Sequence, residues 1–201
     1  MTLPELRLQS ELLGGERLLW TGQPDPRVIF ERVDIFLVPF SLLWGGFALV
    51  WEAGVLGLGV FGEGHGSAVP WFFVLWGIPF VLVGLYFIAG RFFYKAWRKR
   101  RTYYALTNKR ALVLVEGRGR TLRACFLSAV PTINKSVRSS GVGTITFGNT
   151  SWASMYDNTG MDFFGAMGAL GADSTVRFND VRDADRVYGL AMAARKELPG
   201  G

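Results

Sequence analysis

The stretch SAVPWFFVLWGIPFVLVGLYFIAG, Ser67 to Gly90, runs 24 residues without a charge, and RFFYKAWRKRR, Arg91 to Arg101, follows it with six basic residues. A helix needs about 20 apolar residues to cross the hydrocarbon core of a bilayer. The run is apolar on every side and keeps no polar stripe for water, unlike an amphipathic helix at the surface of a soluble domain. Working back along the chain, Ile35 to Trp51 is a second uncharged run, of 17 residues, which lengthens if it continues through Glu52 into Ala53–Leu58. Together the runs predict two transmembrane helices, about 34–57 and 69–92, joined by an external loop 58–68. Pro39 and Pro79 fall inside the spans, where proline is tolerated and kinks are expected. Gly45, Gly46, Gly77 and Gly84 allow close helix approach, and Ser41-x-x-x-Gly45 is a small-xxx-small pair.

Lys and Arg placement orients the hairpin. Arg27 and Arg32 precede the first span, and the six basic residues from Arg91 to Arg101 follow the second, whereas Glu52 to Val69 contains no Lys or Arg. Both termini are therefore expected in the cytoplasm, with Trp51 and Trp71 at the opposite interface. Residues 1–32 hold no basic n-region followed by an apolar stretch, so no cleavable signal peptide is expected there.

Composition agrees with this reading. Of 201 residues, 50% are hydrophobic and only 19% charged, with 16 Phe and 7 Trp, which excludes a disordered chain. A single cysteine, Cys125, excludes an intrachain disulfide, and with the single histidine, His65, it excludes the usual Cys/His zinc clusters. The net charge of +6 divides into −3 over residues 1–93 and +9 over residues 94–201. Residues 95–138 carry 12 basic residues against Glu116 alone, a positive collar beside the second span.

Beyond the collar the texture turns to short β segments punctuated by turns. Strands are read at Thr102–Thr107, Ala111–Val115, Arg120–Phe126, 132–138, Thr144–Phe147 and Ser174–Phe178. Asn179-Asp180 is read as the cap of a C-terminal helix over 181–198, whose Val187, Tyr188, Leu190, Ala191 and Ala194 share one face. Glu16-Arg-Leu-Leu-Trp20 reads as a further short strand, expected to pair with the soluble sheet.

Several of these elements resemble the bacterial pleckstrin-homology-like (PH-like) membrane proteins, a largely uncharacterised group. They are Tyr-Ala-Leu-Thr-Asn-Lys-Arg-Ala-Leu-Val-Leu (104–114), Gly-Val-Gly-Thr-Ile-Thr-Phe-Gly (141–148) and Phe178…Ala184-Asp185-x-Val187-Tyr188. Upstream, Gly15-Glu-Arg-Leu-Leu-Trp20-x-Gly22-x-Pro24-Asp-Pro26 and Pro39-Phe-Ser-Leu-Leu-Trp-Gly-Gly-Phe47 resemble the same group. The resemblance covers most of the chain outside 52–68 and 149–173, and it implies architecture rather than activity. The expected fold is a membrane α-helical hairpin plus a cytoplasmic PH-like antiparallel β-barrel closed by a C-terminal helix. The expected division is an N-terminal segment 1–33, the hairpin 34–94 and the PH-like domain 95–201, with an insertion at 149–173.

Candidate sites follow from charge and exposure. Lys95, Arg98, Lys99, Arg100 and Arg101, joined by Lys109, Arg110, Arg118, Arg120 and Arg123 from the hairpins, are candidate contacts for anionic lipid or an acidic partner. The plainer reading is that the collar only sets topology. In the insertion, Trp152, Met155, Tyr156, Met161, Phe163, Phe164 and Met167 form a candidate partner-docking patch, or else fold onto their own domain. Asp180, Asp183 and Asp185 are read as complements to the positive end of the last helix. No nucleophile–base set, nucleotide loop or metal cluster is legible, so no enzyme activity, metal or cofactor is expected. Expected partners are anionic inner-leaflet lipids and a protein partner or a second copy, not nucleic acid. Two functions fit: a membrane-anchored binding scaffold at the bacterial plasma membrane, or an accessory subunit of an integral-membrane complex.

Overall fold

A computed structural model describes residues 3–30, 34–57, 71–117, 119–149 and 175–198. The expected external loop 58–68, with His65, and the candidate patch from Trp152 to Met167 lie outside these residues, as does Arg118. The chain divides into two compact units, Met1–Ile29 with Lys95–Gly201, and Phe30–Tyr94.

The unit 30–94 contains the helical hairpin. Helix α2 spans Asp34–Val55, after a short N-terminal α1 at Leu3–Gln9. The second helical run starts as α3, Trp71–Leu85, loosens into a π-helical turn at Tyr86–Gly90 and resumes as α4, Arg91–Lys99. The 22-residue α2 and the 29-residue run Trp71–Lys99 are long and apolar enough to cross a membrane. The helices continue through Pro39 and Pro79. The second run extends past the expected end at 92, because Arg91–Lys99 holds no glycine or proline to stop it. Gly45 and Gly84 meet backbone to backbone: a Cβ added at Gly84 would stand 2.8 Å from the Gly45 Cα. The Glu52 carboxylate occupies the space a side chain at Gly77 would need. Arg91 and Asp34, 1% and 5% exposed, form an ion pair at 3.0 Å.

The described residues of the other unit form seven antiparallel strands. β1 (Leu18–Gly22), β2 (Thr102–Thr107), β3 (Arg110–Glu116) and β4 (Arg120–Phe126) form one sheet in that order. β5 (Ile133–Val137), β6 (Gly143–Phe147) and β7 (Val176–Val181) form the second. β1 precedes the hairpin in sequence and β2 follows it, yet they are paired neighbours, with Thr21 opposite Ala105 and Gly22 opposite Tyr104. The helical hairpin is thus an insertion between adjacent strands of one sheet.

The two sheets and helix α5 (Ala184–Lys196) share one core. Tyr104, Leu106 and Val113 come from the first sheet, Ile145, Phe147 and Phe178 from the second, and Val187, Ala191 and Ala194 from α5. The expected closed barrel is corrected to two separate sheets. Between β4 and β5 the chain turns, the Leu127 amide donates to the Lys109 carbonyl, and Leu127 and Val130 drop into the core. Pro131, which has no N–H to donate, follows that turn.

The inner strands β2 and β3 of the first sheet are buried on both faces, whereas β4 is mostly exposed. Leu8 of α1 packs with Tyr103, Ala105, Leu112 and Leu114 on the side away from the shared core. This is why every residue of β2 is buried rather than every second one.

The C-terminal helix starts later than the expected 181. Val181 is fully buried and still belongs to β7, and Asp183 precedes the helix in the left-handed region, at φ 55°. Asp180 is therefore a strand residue, 2% exposed, and not a helix-dipole partner. It accepts from Lys99 Nζ and from Arg138 Nη1 at 3.1 Å.

Candidate anion-binding pocket

The candidate basic residues do not act as one collar. Lys95 and Lys99 are each 3% exposed. Lys95 Nζ donates to the Ile29 carbonyl at 2.9 Å, and Lys99 Nζ donates to the Val28 carbonyl at 2.6 Å and to Asp180. The Asp25 amide donates to the Asp180 carbonyl at 2.9 Å, and Arg182 pairs with the Asp25 carboxylate. A hydrogen bond from the Arg27 amide, reinforced against burial by Arg182, holds the Asp25 carboxyl below the usual range. Lys99 therefore fastens the segment before α2 to β7, and Lys95 holds the same segment at Ile29, so the reading of these two as free headgroup contacts is corrected.

Arg110 is corrected in the same way. Its side chain is 9% exposed, and Nε and Nη2 grip the fully covered side chain of Glu16 at 2.7 and 3.1 Å. Nη2 also donates to the Glu11 carbonyl at 2.7 Å. The turn that carries Arg110 is set by Thr107, whose hydroxyl accepts from the amides of Lys109 and Arg110. Lys109 and Arg110 stand past the far end of β2 from Thr102, roughly 17 Å along the strand, so they do not join the bases of 95–101. Arg120 is tied to the N-terminal segment through Glu11 at 3.0 Å and the Arg7 carbonyl at 2.8 Å. Arg100 and Arg101 are exposed, the latter lying over the Trp97 ring at 4.4 Å.

Burial raises the Glu16 carboxyl, but hydrogen bonds from Arg110 and the Leu13 amide, with the charges of Arg110 and Lys109, outweigh it and hold the pKa below normal. A carboxylate depressed in the folded state contributes stability above its unfolded pKa and loses it as pH falls through the folded value. Stability should therefore drop as the pH is lowered below the ordinary glutamate range. Glu16→Gln should flatten that drop and cost about 1–3 kcal/mol at neutral pH. Denaturant unfolding of the two proteins across pH checks this, and parallel pH profiles would contradict it.

What the structure does bring together is a pocket of about 160 Å³ between the sheets. Two cross-strand rows of the first sheet form one wall: Tyr104, Val113 and Arg123 stand in register, as do Thr102, Val115 and Thr121. Thr175, just before β7, and Arg177 and Asn179 of β7 form the facing wall. Lys95, Arg98 and Lys99 of α4 and Pro24 complete it. The Tyr104 hydroxyl accepts from the Asn179 amide at 3.1 Å and ties the two walls together. Five bases line this pocket, and among the described residues no carboxylate does. A concave site of one sign concentrates counter-ions.

Sequence reading selected Lys95, Arg98, Lys99 and Arg123 but missed Arg177. Its signal was the alternation Thr175-Val-Arg-Phe-Asn179, which puts Arg177 opposite the buried faces of Val176 and Phe178. Cys125 is no candidate: burial, partly offset by the Ala111 backbone, pushes its thiol up to about 11. Among the described residues no three His, Cys, Asp or Glu converge to hold a metal ion. Comparison with protein-family models, curated proteins and solved structures finds no match to this chain.

Proposed function

We propose that this protein is a membrane-anchored, non-enzymatic binding scaffold that presents a PH-like module at the cytoplasmic face of a bacterial plasma membrane. The module binds anionic lipid headgroups or an acidic protein partner, and the reading includes no catalytic step and no cofactor. The observation that carries it is the insertion of two membrane-length helices between paired strands β1 and β2 of a domain with a base-lined pocket. A hairpin that leaves one sheet and returns to it favours both termini on one side of the membrane. The Lys/Arg asymmetry of the flanking segments argues that this side is the cytoplasm. Seven strands in a four-plus-three arrangement with a C-terminal helix against their common core support the PH-like assignment. Tethering raises local concentration, so each contact works even when weak.

The test uses the full chain in neutral phosphatidylcholine nanodiscs, with phosphatidylglycerol-containing vesicles as the target. Vesicle capture that falls as salt rises is expected. Capture indifferent to salt, or equal capture of neutral vesicles, would remove the reading. The apolar, aromatic faces of α2 and α3, with Phe36, Leu43, Trp71 and Phe72 exposed, favour the second reading, an accessory subunit. A stoichiometric membrane partner retained in mild detergent would select it.

A further inference from the structure

The inference rests on the binding-scaffold reading and names the ligand chemistry of its pocket. We propose that the pocket between β4, β7 and α4 is a specific site for a phosphate group, held by Arg98, Arg123 and Arg177. Three features carry this. The first is its lining: Arg98, Arg123 and Arg177 border it from three separate elements, Arg177 being oriented by donation from Nε to the Thr146 hydroxyl at 3.3 Å, and among the described residues no carboxylate borders it. The neighbouring cleft at Gln23–Pro26, although larger, is lined by Asp25, which an anion would meet. The second is chemistry. Guanidinium forks match phosphate oxygens in a bidentate manner, which a lysine point charge does not. Thr121, Thr175 and Asn179 add neutral donors around the same space. The third is rigidity. The lysines of the wall are fixed by Ile29, Val28 and Asp180, and the facing walls are joined by the Tyr104–Asn179 bond. A site so fixed is ready before its ligand arrives, which lowers the cost of binding.

Size narrows the ligand. About 160 Å³ admits one phosphate group with its bound water and leaves the rest of a headgroup outside. Several guanidiniums converging on so small a space favour a phosphomonoester, with its higher charge and three terminal oxygens, over a diester. That group is supplied either by a monoester lipid such as phosphatidic acid or by free phosphate or a soluble monoester.

The experiment titrates inorganic phosphate into the full chain in phosphatidylcholine nanodiscs and follows saturation by 31P NMR. Protection of the β4 and β7 amides is then compared in discs containing phosphatidic acid or phosphatidylglycerol at matched surface charge. R123Q/R177Q is the main variant. Arg123 is exposed and Arg177 half-buried on strand faces, and the single change Arg123→Gln serves if the double variant does not fold. Saturable phosphate binding that weakens about tenfold or more in R123Q/R177Q is expected. Extra protection in phosphatidic acid discs alone identifies the lipid as the source. Phosphate binding without that protection identifies a soluble monoester. Absence of saturable binding, or binding unchanged by the variants, overturns the site. Salt-sensitive capture of anionic vesicles in that last case would leave the scaffold reading standing on diffuse charge alone.

Discussion

Replacing Phe178 by alanine should destabilise the strand domain by about 3–5 kcal/mol, the cost of emptying a buried aromatic site. Phe178 is fully buried, and its ring meets Tyr104 at 4.8 Å, Phe147 at 5.0 Å and Trp20 at 5.8 Å between centroids. Those three rings belong to β2, β6 and β1, so one side chain joins the two sheets and also the strand that precedes the hairpin. Few collapses could refill the space, because each neighbour is anchored in a different strand. Phe126→Ala, on β4 with half of its surface exposed, is the control and should change stability by no more than about 0.5 kcal/mol. Exchange of the β6 and β7 amides in the full chain, reconstituted in detergent, reads the difference. Equal losses at Phe178 and Phe126 would show that the two sheets do not share this core.

The second large effect is expected within the hairpin. Asp34 and Arg91 are both nearly inaccessible and lie 3.0 Å apart. Removing one partner of a buried pair leaves the other charged and unsatisfied, which costs about 3–5 kcal/mol. Arg91→Leu alone and Asp34→Leu alone should each show such a loss in reversible unfolding from mixed micelles. The double replacement should recover most of it, because a matched apolar pair leaves no buried charge behind. Losses that simply add in the double variant would mean that the two residues act independently. The attraction is that of an ion pair and not of a hydrogen-bonded one, since the buried Asp34 Oδ1 and Arg91 guanidinium nitrogens make no hydrogen bond, so each charge depends on the other for its compensation.

The strands were legible wherever local pattern and turn chemistry agreed. Thr107-Asn-Lys-Arg110 is a turn because the Thr107 hydroxyl binds the amides that follow it, a local interaction that a sequence carries on its face. The start of the last helix was misread because Asn179 and Asp180 are good capping residues in isolation. The burial of Val181 in the shared core overrides that preference and keeps β7 extended. Helix α1 was invisible for the opposite reason. Seven residues give too short a pattern, and the helix is held by Leu8 against the outer face of β2 and β3.

The candidate site was only half legible. A run such as Arg98-Lys99-Arg100-Arg101 announces positive charge, but not which member faces solvent. On α4 successive residues point about 100° apart, so Lys95 and Lys99, four residues apart, share one face. That face turned out to be the one against Val28, Ile29 and Asp180.

The sequence by itself determined the two apolar spans, the charge asymmetry around them and the alternation of the strands, because each depends on composition or on neighbours a few residues away. Tertiary structure decided which charges are internal. Arg110 meets Glu16 across 94 residues and Lys99 meets Asp180 across 81. It likewise brought Arg98, Arg123 and Arg177 to one pocket from α4, β4 and β7. Pairings over such separations are fixed by strand register and core packing, which no local pattern encodes, and they turned a uniform basic collar into structural clamps and one base-lined pocket.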